Sequence, residues 1–126
     1  MSNFNGIVNN LISKKPAPTY RIPAYISLPG NLLNYYKMAS RKAGVDMAFV
    51  LRQAISAYLE SGVDTGILRE WDEAQADKSS IQTSVSIEMH KACSEIAERE
   101  GLKLVAVYRA ALAQLFEIQP NSKAMA

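Results

Sequence analysis

The chain has 126 residues, 48% of them hydrophobic, which is enough for one core but not for two large independent ones. The net charge is only +2, yet no acidic residue precedes Asp46, and that stretch carries six basic residues. A single cysteine, Cys93, excludes an internal disulfide. No apolar run approaches the roughly 20 residues of a membrane span, and no signal-peptide pattern is present. These features predict a cytoplasmic protein without a membrane segment, and its basic first part favours a polyanionic partner.

Residues 1–20 are predicted to form an N-terminal segment followed by a basic, proline-rich arm. Apolar residues between Phe4 and Ile12 recur at near-helical spacing, which favours a short helix that docks on the fold or binds a partner. Three prolines in the following KKPAPTYRIP oppose regular helix and favour extended chain. Lys14 and Lys15 give this arm its positive charge.

The segment 21–61 has the pattern of a strand followed by two helices. Apolar and polar residues alternate in AYISLP (24–29), which predicts a half-buried strand. Helical spacing follows, and Gly44 ends the first helix because glycine tolerates the left-handed conformation. Asp46 is a natural N-cap for a second helix that runs to about Ser61.

Residues 62–79 are predicted to form a connector that is part helical, with Trp71 as its packing anchor. The segment 80–118 then repeats the plan of a strand and two helices, with Gly101 at the end of the first helix. Residues 119–126 form a short tail.

The two segments align without a gap at an offset of fifty-seven residues, so that 24–60 matches 81–117. This register preserves six identities: Ser27/Ser84, Gly44/Gly101, Val50/Val107, Arg52/Arg109, Ala54/Ala111 and Glu60/Glu117. Two copies indicate a fused dimer rather than a solenoid, which needs about three units. Since a lone strand leaves both edges unpaired, we expect the two strands to pair antiparallel as a ribbon over the four helices.

A known family has the same order of elements. The first segment has AYISLP, a helix, Gly44, Val45-Asp46 and a second helix, and the second segment has QTSVS, a helix, Gly101, Leu102-Lys103 and a second helix. This order resembles the ribbon-helix-helix (Arc/MetJ-like) superfamily of DNA-binding proteins, here twice in one chain. The resemblance extends from Arg21 to Glu117. It implies an α+β, mostly helical fold, namely a tandem ribbon-helix-helix pseudo-dimer with a two-stranded antiparallel β-ribbon over four helices. It also implies that the ribbon enters the major groove of double-stranded DNA.

The resemblance assigns two kinds of DNA contact to this sequence. Base reading falls to the outward strand positions Tyr25, Ser27, Gln82 and Ser84, whose side chains suit base edges and thymine methyl groups; the alternative is that they only form the polar face of an exposed strand. Backbone contacts fall to the arm and strand-flanking residues Lys14, Lys15, Arg21 and Ser80, and to the start of each second helix, Asp46, Met47, Ala48, Lys103, Leu104 and Val105. Asp46 is expected to repel a phosphate and Lys103 to attract one.

Because its two strands differ, a monomer that acts as a pseudo-dimer can read a non-palindromic site. Assembly of several copies on DNA is a further option. Tandem single-chain forms resemble accessory proteins of plasmid conjugation relaxosomes, which act at an origin of transfer and assist a relaxase. Transcriptional repression, including autoregulation, is the first alternative. A helical protein-interaction module that does not bind DNA is the second.

Catalysis has little support in the sequence. His90 is predicted to be a solvated helix residue, and Cys93, three residues later, to lie in the core. No phosphate loop, metal-ligand spacing or nucleophile motif is present. We therefore expect no enzyme activity, no metal and no cofactor.

Overall fold

The protein folds as helices around one small sheet, as a computed structural model describes it for residues 4–13, 21–74 and 81–119. In chain order the elements are α1 (Phe4–Ser13), β1 (Arg21–Ile26), α2 (Gly30–Ala43), α3 (Met47–Ser61), α4 (Thr65–Glu73), β2 (Ile81–Ser86), α5 (Ile87–Glu100) and α6 (Leu104–Phe116). The predicted class, α+β and mostly helical with a two-stranded antiparallel sheet, is confirmed.

The described ranges contain six helices, namely the four that follow the two strands and two in the flanking segments, for which the sequence also predicts short helices. The additional helices are α1 and α4, and each buries an apolar face. Leu11 of α1 is buried where this helix packs against α2 and α6. Leu68 and Trp71 of α4 are buried against α6. The core therefore extends beyond the four helices that follow the strands, because the flanking segments contribute apolar stripes of their own.

The register of the sheet pairs Tyr25 with Gln82 and places Arg21 opposite Ser86. β1 thus begins three residues earlier than the strand predicted from the alternation at 24–29. Pro23, which the sequence places in the extended KKPAPTYRIP segment, lies inside this strand. Proline is tolerated at this position because each strand of a two-stranded sheet keeps one edge without a partner strand.

The helix bounds repeat at the offset of fifty-seven residues. α5 occupies the range of α2 displaced by that number, and α6 begins where the displaced α3 begins. The helices α2 and α5 both end at a left-handed glycine, Gly44 with φ 69° and ψ 32° and Gly101 with φ 69° and ψ 34°. Side chains at these φ values are strained, which explains why glycine is used twice.

Arg109 of α6 joins the end of β1 to the connector helix. Its side chain is 5% exposed and donates to the Ser27 carbonyl oxygen (2.8 Å) and hydroxyl (3.0 Å), and to the carbonyl oxygens of Trp71 (2.8 Å) and Ala74 (3.2 Å). Burial lowers the pKa of this guanidinium and Asp72 raises it. The four bonds compensate much of the cost of burying a charge.

Candidate nucleic-acid interface

The outward face of the sheet carries polar side chains around an exposed tyrosine. Tyr25 is 66% exposed and lies directly opposite Gln82, which is also exposed. Pro23 is exposed opposite the half-buried Ser84, and Arg21 is exposed at the start of β1. The opposite face buries Ala24, Ile26, Thr83 and Val85. This surface therefore offers a cation, an aromatic ring, an amide and a hydroxyl on one strip two strands wide.

Ser27 does not belong to this strip. It follows the end of β1, and both its carbonyl oxygen and its hydroxyl oxygen accept hydrogen bonds from the buried Arg109. Three of the four residues predicted to read bases, Tyr25, Gln82 and Ser84, lie together on the sheet, whereas Ser27 holds the strand end in place.

A cleft separates the sheet from the N-terminus of α3, and we name it the α3 cleft. It has a volume of about 410 Å³ and is lined by Arg21, Asp46, Met47, Ala48, Gln82, Thr83 and Ser84. Four of these residues, Arg21, Asp46, Met47 and Ala48, are predicted contacts to the DNA backbone, and Gln82 and Ser84 of β2 are predicted base readers. The fold thus brings the start of β1, the start of α3 and the outer residues of β2 together around one opening.

A second cleft separates the sheet from the N-terminus of α6, and we name it the α6 cleft. It has a volume of about 200 Å³ and is lined by Pro23, Ala24, Tyr25, His90, Leu104, Val105 and Tyr108. The two clefts flank the sheet on the sides of its two strands. Each combines strand residues with the first turn of a helix, where backbone N–H groups have no intrahelical acceptor and favour an anion.

The N-caps of α3 and α6 differ in charge and in capping. The Asp46 side chain accepts from the Phe49 N–H at 2.7 Å, so a carboxylate already occupies the start of α3. The Lys103 side chain makes no capping bond to α6. Instead its backbone N–H donates to Asp72 Oδ1 of α4 at 2.9 Å. The start of α6 is therefore free of a capping side chain and begins with a cation.

Tyr36 fixes the start of α3 against the sheet. Its hydroxyl donates to the Met47 carbonyl oxygen at 2.6 Å and lies 3.5 Å from the Thr83 hydroxyl. Burial raises the pKa of this tyrosine well above its ordinary value, so the hydroxyl remains a donor. One side chain of α2 thereby sets the distance between β2 and the first turn of α3.

Sequence reasoning missed three residues of this surface, namely Pro23, His90 and Tyr108, and it placed Arg21 before β1 rather than inside it. His90 is half-buried in the α6 cleft rather than fully solvated. The alternation of Ile22 with Ala24 and Ile26 was the available signal for the strand position. No local pattern could reveal His90 or Tyr108, because their helices meet the sheet only in the tertiary structure. Lys14, Lys15 and Ser80 lie outside the described residues.

Comparisons with protein-family models, with curated proteins and with solved structures found no match. Within the described ranges, no cluster of histidine, cysteine and carboxylate side chains could hold a metal ion. In the same ranges, no helix has the length and apolar character needed to cross a membrane.

Proposed function

We propose that this protein binds double-stranded DNA in a sequence-specific manner, with the outward face of the sheet in the major groove. The observation that carries the proposal is the exposed polar strip of Arg21, Tyr25, Gln82 and Ser84, flanked on each side by the first turn of a helix. The side chains supply groups that can contact base edges, and the two helix N-termini supply sites for flanking phosphates. A two-stranded ribbon has a width that the major groove admits.

Within this proposal the chain is a single-chain ribbon-helix-helix pseudo-dimer. Two observations support it. The helices repeat at the offset of fifty-seven residues, and the sheet register pairs Tyr25 with Gln82, which are equivalent positions at the same offset. When two antiparallel strands are related by a two-fold axis, the residue at the axis lies opposite its own counterpart. The axis here relates unequal residues, so the pseudo-dimer can read a non-palindromic DNA site.

The biological role we favour is that of a relaxosome accessory protein at an origin of transfer, with a relaxase as a partner. This part of the proposal rests on the resemblance of tandem single-chain forms to such proteins. A transcriptional repressor or autoregulator would use the same surface. The two roles differ in the DNA that is bound, since one requires a transfer origin and the other a promoter.

A protein-interaction module is the second candidate, and one cavity favours it. This cavity, of about 300 Å³, lies at the ends of α3 and α6 remote from the sheet, and its lining includes Tyr58, Ile67 and Trp71. The indole N–H of Trp71 is buried and has no hydrogen-bond partner in the described part of the chain. If the protein does not bind DNA, this cavity is where a partner should be sought.

The test is an electrophoretic mobility shift with the purified chain and fragments of its own replicon, including its promoter and any transfer origin, against excess nonspecific DNA. We expect a selective shift of one fragment, because base contacts add to the nonspecific phosphate attraction. The fragment that the protein binds distinguishes a role at a transfer origin from a role in transcriptional repression. Equal shifts of every fragment would contradict sequence-specific reading, and the lack of any shift would contradict DNA binding altogether.

Removing the carboxylate from the α3 cleft should strengthen binding. In Asp46→Asn the side-chain oxygen that caps Phe49 N–H is kept while the negative charge is lost. We expect the affinity for all DNA sequences to rise about two- to fivefold at low salt, since a charge at a helix N-terminus contributes about 0.3–1 kcal/mol. Fluorescence anisotropy across a salt series measures both the affinity and its salt dependence.

Asp64→Asn is the matched control for this change. Asp64 caps α4 through Gly66 and Ile67 N–H in the same way, and it lies at the cavity remote from the sheet. Its substitution should leave DNA affinity unchanged. An unchanged affinity of Asp46→Asn, with an unaltered fold, would place the α3 cleft away from the DNA backbone.

A further inference from the structure

Tyr108 is a buried donor that the fold does not use. It lies in α6, is 2% exposed and lines the α6 cleft. Its hydroxyl is buried and finds no hydrogen-bond partner among the described residues. Leaving such a group unpaired costs about 1–3 kcal/mol. Phenylalanine would supply the same ring for packing without this cost, so the hydroxyl points to a role outside the fold.

The corresponding positions in the first half of the chain do not carry these side chains. At the offset of fifty-seven residues Tyr108 corresponds to Leu51 and His90 to Leu33, while Lys103 corresponds to Asp46. The three polar or cationic side chains of one half are therefore replaced by two apolar ones and a carboxylate in the other. The tyrosine of the first half, Tyr36, comes from α2 instead, and its hydroxyl is satisfied by the Met47 carbonyl oxygen.

We propose that the α6 cleft is a built phosphate site in which the Tyr108 hydroxyl and the His90 imidazole N–H donate to the anion together with the backbone N–H groups of Leu104 and Val105. The identity of that phosphate as one of the DNA backbone rests on the proposed function. The α3 cleft lacks this donor set, so the protein holds the two sides of its DNA site unequally.

The chemistry of the lining selects an anion. None of the residues that line the α6 cleft carries a carboxylate. The α6 N-terminus contributes a partial positive charge, and the exposed Lys103 at its N-cap adds a full one, which the Asp72 carboxylate bound to the Lys103 backbone N–H partly offsets. Burial, and then the neighbouring Cys93, raise the pKa of Tyr108, so its hydroxyl stays protonated and donates. A tetrahedral phosphate, which accepts several hydrogen bonds at once, satisfies all these donors.

The critical variant is Tyr108→Phe, which removes only the oxygen. Its stability should equal or exceed that of the unmodified protein, because an unpaired buried hydroxyl is lost. Its affinity for DNA should fall about tenfold, the scale of a hydrogen bond to a charged group. The salt slope should stay the same, since no charge is removed, whereas Lys103→Ala should reduce the slope by about one. Tyr58→Phe, a buried tyrosine at the remote cavity, is the control and should bind DNA normally.

Chemical interference locates the effect on the DNA. Ethylation of single phosphates should block binding more strongly on one side of the DNA site than on the other. For the Tyr108→Phe variant, ethylation should block binding equally on the two sides. If Tyr108→Phe keeps full affinity and the same interference pattern while Tyr25→Ala loses sequence selectivity, the phosphate site is refuted and DNA reading stands.

Inorganic phosphate provides a test of the α6 cleft that does not depend on DNA binding. If the protein binds no DNA, the proposed function fails, and thermal unfolding in sodium phosphate against equal ionic strength of sodium chloride becomes the deciding measurement. A phosphate-dependent rise in Tm that Tyr108→Phe loses would support a site for free phosphate. Equal Tm values for both proteins in both salts would overturn the inference.

Discussion

Replacing Arg109 with methionine should lower the free energy of unfolding by about 3–5 kcal/mol, near the upper limit for single substitutions. The guanidinium donates to acceptors on Ser27 and, in a distant part of the sequence, on Trp71 and Ala74. Methionine fills much of the volume but removes the Arg109 donors from all of these acceptors, of which the Trp71 carbonyl oxygen keeps the Ala74 N–H. Urea unfolding followed by circular dichroism measures the difference, and the urea dependence should stay similar if the fold is retained.

Arg52→Met is the matched control, because Arg52 occupies the equivalent position in the first repeat. Arg52 is also buried, at 7% exposed, but its Nη1 has no hydrogen-bond partner in the described part of the structure. Burial, and then the nearby Arg21, lower its pKa. Removing a buried charge with an unpaired donor should be neutral or stabilising. Equal losses in the two variants would mean that volume, rather than the bonds of Arg109, sets the effect.

Replacing Tyr25 and Gln82 with alanine should abolish most of the sequence selectivity while leaving nonspecific DNA binding intact. These residues face each other on the outward side of the sheet, and they correspond at the offset of fifty-seven residues. Each lost base contact should reduce discrimination by about 1–3 kcal/mol. Competition between the preferred fragment and random DNA at fixed salt measures this discrimination directly.

Gln114→Ala is the control for the glutamine. Gln114 is an exposed residue of α6 that exchanges hydrogen bonds with the Ser61 hydroxyl at the end remote from the sheet. Its loss should not alter selectivity. If the Tyr25 and Gln82 variants keep the preference of the unmodified protein, the outward face of the sheet does not read bases.

The helices were predictable because their ends are determined locally. Gly44 and Gly101 lie just after α2 and α5, and Asp46 caps α3 as expected. Each of these signals acts within one turn of the chain, where side-chain chemistry and backbone conformation decide the outcome. The internal repeat then allowed the same reasoning to be applied twice.

The position of β1 and the residues that line the two clefts are harder to predict from local sequence signals. Cross-strand pairing, a contact between residues far apart in sequence, determines where β1 begins. Ser27 has the polarity and the spacing of an outward strand residue, but its carbonyl and hydroxyl oxygens accept hydrogen bonds from Arg109, which is distant in sequence. Tyr108 lies on an apolar stripe that predicts only burial. Its unpaired hydroxyl becomes visible only when its neighbours are known.

The pairing of β1 with β2 inside one chain has a consequence for the amount of protein required. A ribbon made by two separate chains comes apart on dilution, because its stability depends on protomer concentration. Here β2 is tethered to β1, so their local concentration is set by the linking residues and not by how many molecules are present. The folded ribbon therefore persists in a compartment that holds only a few copies of the protein. A gene expressed at very low level can therefore supply a complete two-stranded sheet with every chain it produces.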